Sequence, residues 1–470
     1  MTLIDWILLL TVLAVTGYKI VLPTGKWQWH LLGIVCVLIA TQLLISGFLW
    51  PFVPTYFLVA LLALSSLKLS AKLPTWRIWL TRIVLLFAFL LAIAPFAILV
   101  PVPVLPTPSG PFSIGTKIYR WVDTLRNEEA TDNITDKRNV IAQAWYPTEL
   151  SDKQRSVYMD GLSNLPFKKI GLETEYVMGG YDRINTHAML NAQISNKKLW
   201  PVVIFSPGFG ASRSWYTGLV TELVSRGYVV ITLDHPYESP ITELANGTIA
   251  RRIDTSPRDT NAREPWMATQ LGIRATDFQF AIDRIIEGLD DLKGHLDFSR
   301  IVAVGHSFGG ATAVAATARD PRIGAVVNID GTLYGEVPEL HRPFLLLQSD
   351  YAVTGHGDAF KARNQQLLEH TTAPAWRYEI LGANHLVFMD VLYFLSAPVK
   401  WVLKKKYGGN LFGGERKPKE IQYMSSDILD AFIRETLYGE KDLVKRSVAK
   451  YSDIKGGLQV VPKTVSPQTK

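Results

Sequence analysis

Ile301-Val302-Ala303-Val304-Gly305-His306-Ser307-Phe308-Gly309-Gly310-Ala311 is an apolar, largely β-branched run that breaks at Gly-x-Ser-x-Gly and continues into small residues. A strand that ends in this way and passes directly into a helix carries its serine on a sharp turn, exposed at the end of a sheet. The backbone of such an elbow is strained and the helix must pack close to the strand. Glycine is therefore required on both sides of Ser307, and Gly305 and Gly309 supply it. The stretch predicts a nucleophilic serine held between a buried strand and a small-residue helix.

Working outward, short apolar runs alternate with helical periods. Val202–Phe205, Tyr228–Leu233, Ile301–Val304, Ile323–Ile329, Phe344–Leu347 and Arg377–Leu381 read as buried strands. Ser212–Ser225, Ala268–Ile286, Gly309–Ala318 and Ser425–Tyr438 read as helices. Lys117–Asp123 and Asn139–Trp145 read as an opening strand pair with a charged loop between them. Strand, helix, strand repeated in this way implies an α/β fold with a mostly parallel sheet covered on both faces, whose ligand chemistry lies at the carboxyl ends of the strands.

A serine hydroxyl is a poor nucleophile at neutral pH and needs a base, itself oriented by an acid. On an elbow of this kind the chain order is serine, acid, histidine. His385, on the loop Leu381-Gly382-Ala383-Asn384-His385 after the last expected strand, stands where the base belongs. His341, His356 and His370 also follow Ser307, but His341 begins a strand, His356 lies in a polar Gly-His-Gly loop and His370 ends a helix. Two carboxylates compete for the acid. Asp330 ends one strand and Asp350 the next, with placement after the later strand favouring Asp350; both positions are also good turn chemistry. The oxyanion hole needs one backbone N–H from the residue after the serine, Phe308, and one from the loop Ser206-Pro207-Gly208-Phe209-Gly210, through Phe209. Gly208 and His306 are expected beside the substrate. His235 is either a wall of the site or a core histidine. His235-Pro236-Tyr237-Glu238 lacks the spacing of a helical zinc motif and no His-Glu-x-x-His occurs, so no metal and no cofactor is expected.

Gly305-His306-Ser307-Phe308-Gly309-Gly310-Ala311, taken in order with Trp145-Tyr146-Pro147, Pro207-Gly208-Phe209-Gly210, Asp234-His235, Asn328-Ile329-Asp330-Gly331 and Ala383-Asn384-His385, resembles the platelet-activating factor acetylhydrolase family of α/β-hydrolases. The resemblance covers roughly Pro106 to Tyr438. It implies the α/β-hydrolase fold, the triad Ser307, Asp330 and His385, and metal-independent hydrolysis of esters, often with short acyl groups; Asp350 remains the alternative acid. The chain departs from the family at Pro207, where relatives often carry His-Gly, and in its apolar N-terminus. An acyltransferase or a cutinase-like polyester hydrolase would keep the same triad. A non-catalytic membrane protein that only binds a ligand is the reading from a different class.

Of the 470 residues 48% are hydrophobic, and the excess is concentrated at the N-terminus. Leu3–Val21, Trp29–Leu49, Pro51–Leu67 and Ile83–Val104 each approach the ~20 apolar residues that cross a bilayer, which makes about four spans, the third short. Before Trp6 the only charged side chain is Asp5, unlike the basic start of a signal peptide. Lys19 and Lys26 flank the first connection and Lys68, Lys72, Arg77 and Arg82 the third, so these two are expected in the cytoplasm and the domain after the spans outside it. Five prolines between Pro101 and Pro111 mark a stiff exit. The expected organisation is therefore a membrane region over 1–105, a linker over 106–116, the catalytic domain over 117–440 and a polar tail over 441–470.

The single Cys36 excludes an internal disulfide and cysteine catalysis. A net charge of +7, partly from membrane-flanking residues, gives no nucleic-acid signature. Asn133-Ile134-Thr135 and Asn246-Gly247-Thr248 match a glycosylation pattern that has meaning only in a eukaryotic secretory route. Leu392–Tyr407 mixes Tyr393, Phe394 and Trp401 with Lys404-Lys405-Lys406 and suits either an anionic membrane surface or a packed helix with a solvated basic end. The expected partners are a small-molecule or lipid ester and a membrane.

Overall fold

A computed structural model describes residues 3–22, 28–66, 74–96, 103–149, 154–161, 181–289, 292–407, 414 and 416–460. The chain divides into two units, one of residues 1–103, 163–181 and 394–400, the other of residues 104–162, 182–393 and 401–470.

The first unit contains four helices, α1 (Leu3–Val21), α2 (Gln28–Ile45), α3 (Val53–Ser66) and α4 (Thr75–Ala94). Leu8, Val12, Val35, Leu58, Leu62 and Ala92 are buried among them, while Leu44, Phe57, Phe87 and Leu90 are more than half exposed. By length and composition α1 and α4 can cross a membrane, whereas α2 and α3 are shorter apolar helices. The fourth helix starts earlier than the expected Ile83, because Arg77 and Arg82 do not interrupt it; their guanidinium groups lie over the rings of Trp76 and Trp79. It stops at Pro95, and residues 97–102 of the expected span are outside the described residues, as are Lys26, Lys68 and Lys72.

The second unit is built on a ten-stranded sheet of order β12-β11-β10-β9-β8-β4-β5-β2-β1-β3. Its strands are β1 (Ser113–Asn127), β2 (Lys137–Thr148), β3 (Ala188–Leu190), β4 (Trp200–Ser206), β5 (Val229–Asp234), β8 (Leu296–His306), β9 (Ile323–Ile329), β10 (Phe344–Ser349), β11 (Ala375–Ile380) and β12 (Ile454–Val460); β6 (Ile241–Glu243) and β7 (Ile249–Arg251) pair separately. β5, β4, β8, β9, β10 and β11 run parallel to their neighbours, and β2 and β12 join antiparallel at either end of that block. Every residue of β4, β5 and β10 is buried, which is why these strands read as continuous apolar runs rather than alternating ones. This is the α/β-hydrolase fold.

Several boundaries differ from the sequence expectation, among them β8, which begins at Leu296 rather than Ile301, and the helix Pro418–Tyr438, expected only from Ser425. β1 begins at Ser113, inside the expected linker, and the 28-residue helix Thr260–Glu287 starts eight residues before Ala268, because its first turns carry polar residues capped by Asp259. The tail after 440 forms a short helix, Leu443–Val448, and the edge strand β12 on β11, which two glycines and a mostly exposed face hide from any periodicity. Residues 461–470 lie outside the described residues.

Candidate active site

β8 delivers Ser307 and the helix Phe308–Arg319 carries the chain away. Ser307 sits at φ 56°, ψ −125°, a conformation that L-residues adopt only when the surroundings impose it. Here the imposition is visible. A Cβ on Gly305 would overlap the Gly309 carbonyl, and one on Gly309 would overlap the Ser206 carbonyl at the end of β4. Every residue from Phe308 to Thr317 is buried, so small side chains let this helix lie directly on the sheet.

The Ser307 hydroxyl is 2.9 Å from Nε2 of His385, and Nδ1 of His385 is 2.7 Å from Oδ2 of Asp330. Asp330 leaves β9 at φ 53° and is fully buried. Its carboxylate accepts from the Ser349 N–H at 2.9 Å and the Ser349 hydroxyl at 2.7 Å, and Nε2 of His356 approaches Oδ1 at 3.1 Å. Burial alone would push this carboxyl up, but the hydrogen bonds and charge of His356 and His385 hold it well below the usual carboxylate range. Asp350, the alternative acid, is turned elsewhere. It caps the turn Tyr351–Thr354 through the Ala352 N–H at 2.8 Å and receives the Gly382 N–H at 2.8 Å, so it braces the loop leading to His385 rather than His385 itself. His341 pairs with Thr372 and His370 with the Val337 carbonyl, away from this centre.

His356 is the residue that local reading passed over. Its ring stacks on Phe360 at 3.7 Å and 4°, which fixes the imidazole edge-on to the second carboxylate oxygen of Asp330. The Gly355-His356-Gly357 loop gave no hint, because a turn histidine acquires a partner only when the loop folds back over the sheet. Asp330, His356 and His385 bring one ligand atom each within 4.8 Å of one another, a grouping that could hold a metal ion. The two hydrogen bonds to one carboxylate require the same proximity.

His306, expected beside the substrate, and His235, expected either as a wall of the site or as a core histidine, are enclosed. Nδ1 of His306 accepts from Tyr216 Oη at 2.9 Å, Nε2 donates to the His385 carbonyl at 3.0 Å, and Tyr216 Oη in turn receives the Gly208 N–H at 3.0 Å. His306 is therefore enclosed and ties the loop of His385 to the Pro207–Gly210 loop. Burial and then the neighbouring His385 depress its proton affinity well below the ordinary imidazole value, which keeps it neutral in this bridging role. His235 is fully buried between Asp277, 2.9 Å from Nδ1, and Ser206, 3.1 Å from Nε2; it is a core histidine.

Gly208 is in place beside the serine, a Cβ built on it falling 3.3 Å from Ser307 Cβ. The rings of Phe209 and Phe308 meet edge to face at 5.9 Å, and Phe209 meets Trp266 in the same manner at 5.8 Å. The neighbouring amides are committed, Gly208 N–H to Tyr216 and Gly210 N–H to Glu238, whereas among the described residues no acceptor holds the Phe209 or Phe308 N–H. The arrangement offers a hydroxyl in hydrogen-bond reach of an imidazole, a buried carboxylate on the imidazole's other nitrogen, and two amides without an acceptor among the described residues, on residues flanking the serine and Gly208. It is suited to acyl transfer through the serine.

Residues 203–462, an interval that holds Ser307, Asp330 and His385, match the alpha/beta hydrolase family. Residues 102–259 match platelet-activating factor acetylhydrolase, isoform II. The chain is 24% identical over 376 residues to a probable 1-alkyl-2-acetylglycerophosphocholine esterase of Arthroderma benhamiae, an alignment covering 74% of this chain and 92% of that one. It is 26% identical over 195 residues to a platelet-activating factor acetylhydrolase of Cavia porcellus, covering 36% of this chain and 45% of that one. Among solved structures, a ferulic acid esterase from Streptomyces cinnamoneus superposes with a TM-score of 0.62 at 24% identity, over 76% of this chain and 99% of that one.

Proposed function

We propose that this chain, which belongs to the alpha/beta hydrolase family, is a membrane-anchored serine hydrolase of carboxylic esters that uses Ser307, His385 and Asp330 as its triad. The observation that carries the reading is the unbroken hydrogen-bonded line from the Ser307 hydroxyl through both nitrogens of His385 to the buried Asp330. Nε2 of His385 takes the hydroxyl proton as Oγ bonds to the ester carbonyl carbon, and the carbonyl π electrons move onto oxygen. The N–H groups of Phe209 and Phe308 hold that oxyanion. Asp330, kept ionised, fixes the imidazole tautomer and stabilises the imidazolium. Collapse of the tetrahedral species breaks the bond to the alcohol, which leaves with the proton from His385. Water, deprotonated by the same nitrogen, then hydrolyses the acyl-serine.

The names of the relatives point to the acetyl ester of an ether phospholipid, so lipid esters with short acyl groups are the substrate class to test first. The outward apolar faces of α1 and α4 support an anchor in the bilayer, and Lys19 with the basic residues around the third connection supports an extracytoplasmic catalytic domain. Fluorophosphonate labelling and ester turnover should both be lost in Ser307→Ala; undiminished turnover in that variant refutes the proposal. Esters graded by acyl length identify the substrate class, and protease accessibility of the C-terminus in intact cells tests the sidedness.

A further inference from the structure

We infer that Arg274 is a positioning residue that aims the oxyanion hole, an inference that rests on the serine-hydrolase reading above. Arg274 lies 67 residues along the chain from Pro207, in the helix Thr260–Glu287, and is only 2% exposed. Its Nη1 donates to the Pro207 carbonyl at 2.7 Å and its Nη2 to the Gly208 carbonyl at 3.3 Å. Nε donates to Oε2 of Glu238 at 2.8 Å, Nη2 also reaches Oε1 of Glu238, and that oxygen accepts the Gly210 N–H at 3.2 Å. The guanidinium further lies over the Phe308 ring, 4.9 Å from its centroid. One buried cation thus touches both residues' halves of the hole, the loop that presents Phe209 and the side chain of Phe308.

The direction of the Phe209 amide follows from peptide geometry. In a trans peptide the C=O and N–H point in opposite directions, and the chain contains no cis bond among the described residues. Arg274 draws the Gly208 carbonyl to one side, so the N–H of the same peptide, that of Phe209, is turned to the other. The peptides before and after are pinned as well, Pro207–Gly208 by Arg274 and Tyr216, and Phe209–Gly210 by Glu238. An arginine kept only to neutralise Glu238 would not need to direct Nη1 and Nη2 at this loop, and a lysine's single ammonium cannot span two carbonyls and a carboxylate in one plane. Gly208 O also receives the Ala211 N–H at 3.1 Å, so removing Arg274 loosens the amide rather than deleting it. The expected loss in kcat is therefore about tenfold to a hundredfold, below the roughly hundred- to thousandfold of a missing oxyanion donor.

The test uses the full chain in detergent, with Arg274→Gln, Arg274→Lys, Arg274→Ala and the charge-neutral double variant Arg274→Gln/Glu238→Gln. Turnover of p-nitrophenyl acetate is measured alongside inhibition by an alkyl trifluoromethyl ketone, which adds to Ser307 as a hemiketal oxyanion, and by the corresponding alcohol, which cannot. A positioning role predicts that kcat falls at least tenfold in the Gln and Lys variants with KM within about threefold. Affinity for the ketone should fall in parallel while that for the alcohol is unchanged, and methylguanidine should restore part of the turnover of Arg274→Ala. Wild-type kcat, or equal losses for ketone and alcohol, overturns the inference. Should Arg274→Gln fail to melt cooperatively, the double variant is judged by the same criteria. Ser307→Ala separates the two levels: its undiminished turnover would sink the hydrolase reading, whereas an inert Ser307→Ala beside a fully active Arg274→Gln would sink only the role of Arg274.

Discussion

Asp330→Asn should reduce kcat by about four orders of magnitude, near 5 kcal/mol of transition-state stabilisation, while Asp350→Asn should leave it within about twofold. The reason is in the four donors around the Asp330 carboxylate. Oδ1 faces the Ser349 N–H and His356, and Oδ2 faces the Ser349 hydroxyl and His385 Nδ1. An asparagine offers one oxygen and one NH2. With its oxygen toward the Ser349 N–H, its NH2 points at Nδ1 of His385, which must then accept; the proton moves to Nε2, and the base can no longer take the serine proton. With the amide reversed, His385 keeps the right tautomer, but an NH2 opposes the buried Ser349 N–H, an unsatisfied pair costing about 1–3 kcal/mol. The first arrangement is favoured, and the negative charge that stabilises the imidazolium is lost in both. Asp350→Asn keeps an oxygen to cap the Ala352 N–H and loses only the hydrogen bond from the Gly382 N–H, about 1 kcal/mol of stability. Both variants are assayed by steady-state turnover of p-nitrophenyl acetate and by the rate of fluorophosphonate labelling. Retention of more than a tenth of the activity in Asp330→Asn, with a large loss in Asp350→Asn, would refute the assignment of the acid.

Asp390 is fully buried, its carboxyl pushed up to about 7 by desolvation despite hydrogen bonds from Tyr158 and the Gly218 N–H. Both states are protonated below about pH 4; between there and 7 the unfolded chain ionises while the fold does not, so stability falls by about 4 kcal/mol as pH rises and stays lower above it. Asp390→Asn should therefore melt higher than the parent at pH 8, with the gap closing toward pH 4; a gap independent of pH contradicts the mechanism. Gly309→Ala should abolish soluble, cooperatively melting protein, since the added Cβ meets backbone at Ser206 that cannot yield; a folded variant of parental Tm would show that the helix can shift. Trp401 and Val402 are exposed on the helix Ala397–Tyr407 beside Lys404 and Lys405. Replacing Lys404, Lys405 and Lys406 by glutamine should spare soluble-ester turnover and weaken hydrolysis in anionic vesicles, at about 1 kcal/mol of membrane attraction per lysine. Equal rates on vesicles would exclude a membrane-facing role for this helix.

What could be read along the chain is what is determined locally. The elbow at Ser307 is legible because part of its crowding is between neighbours in sequence, Gly305 against Gly309, though Gly309 also meets Ser206 of β4, and the parallel strands are legible because both of their faces are buried. The apolar helices at the N-terminus are legible for the same reason, since their length and composition are properties of the local sequence. Where each loop travels at the ends of the strands is another matter, because it depends on contacts between residues far apart in sequence. Asp330 and Asp350 end adjacent strands with equally good turn chemistry, and only the folded loops bring His385 to one and the Gly382 amide to the other. His356 on the second oxygen of Asp330, Tyr216 linking Gly208 to His306, and Arg274 behind the oxyanion loop carry no motif at all. Each is defined by a hydrogen bond that closes through space, and tertiary structure alone decides it.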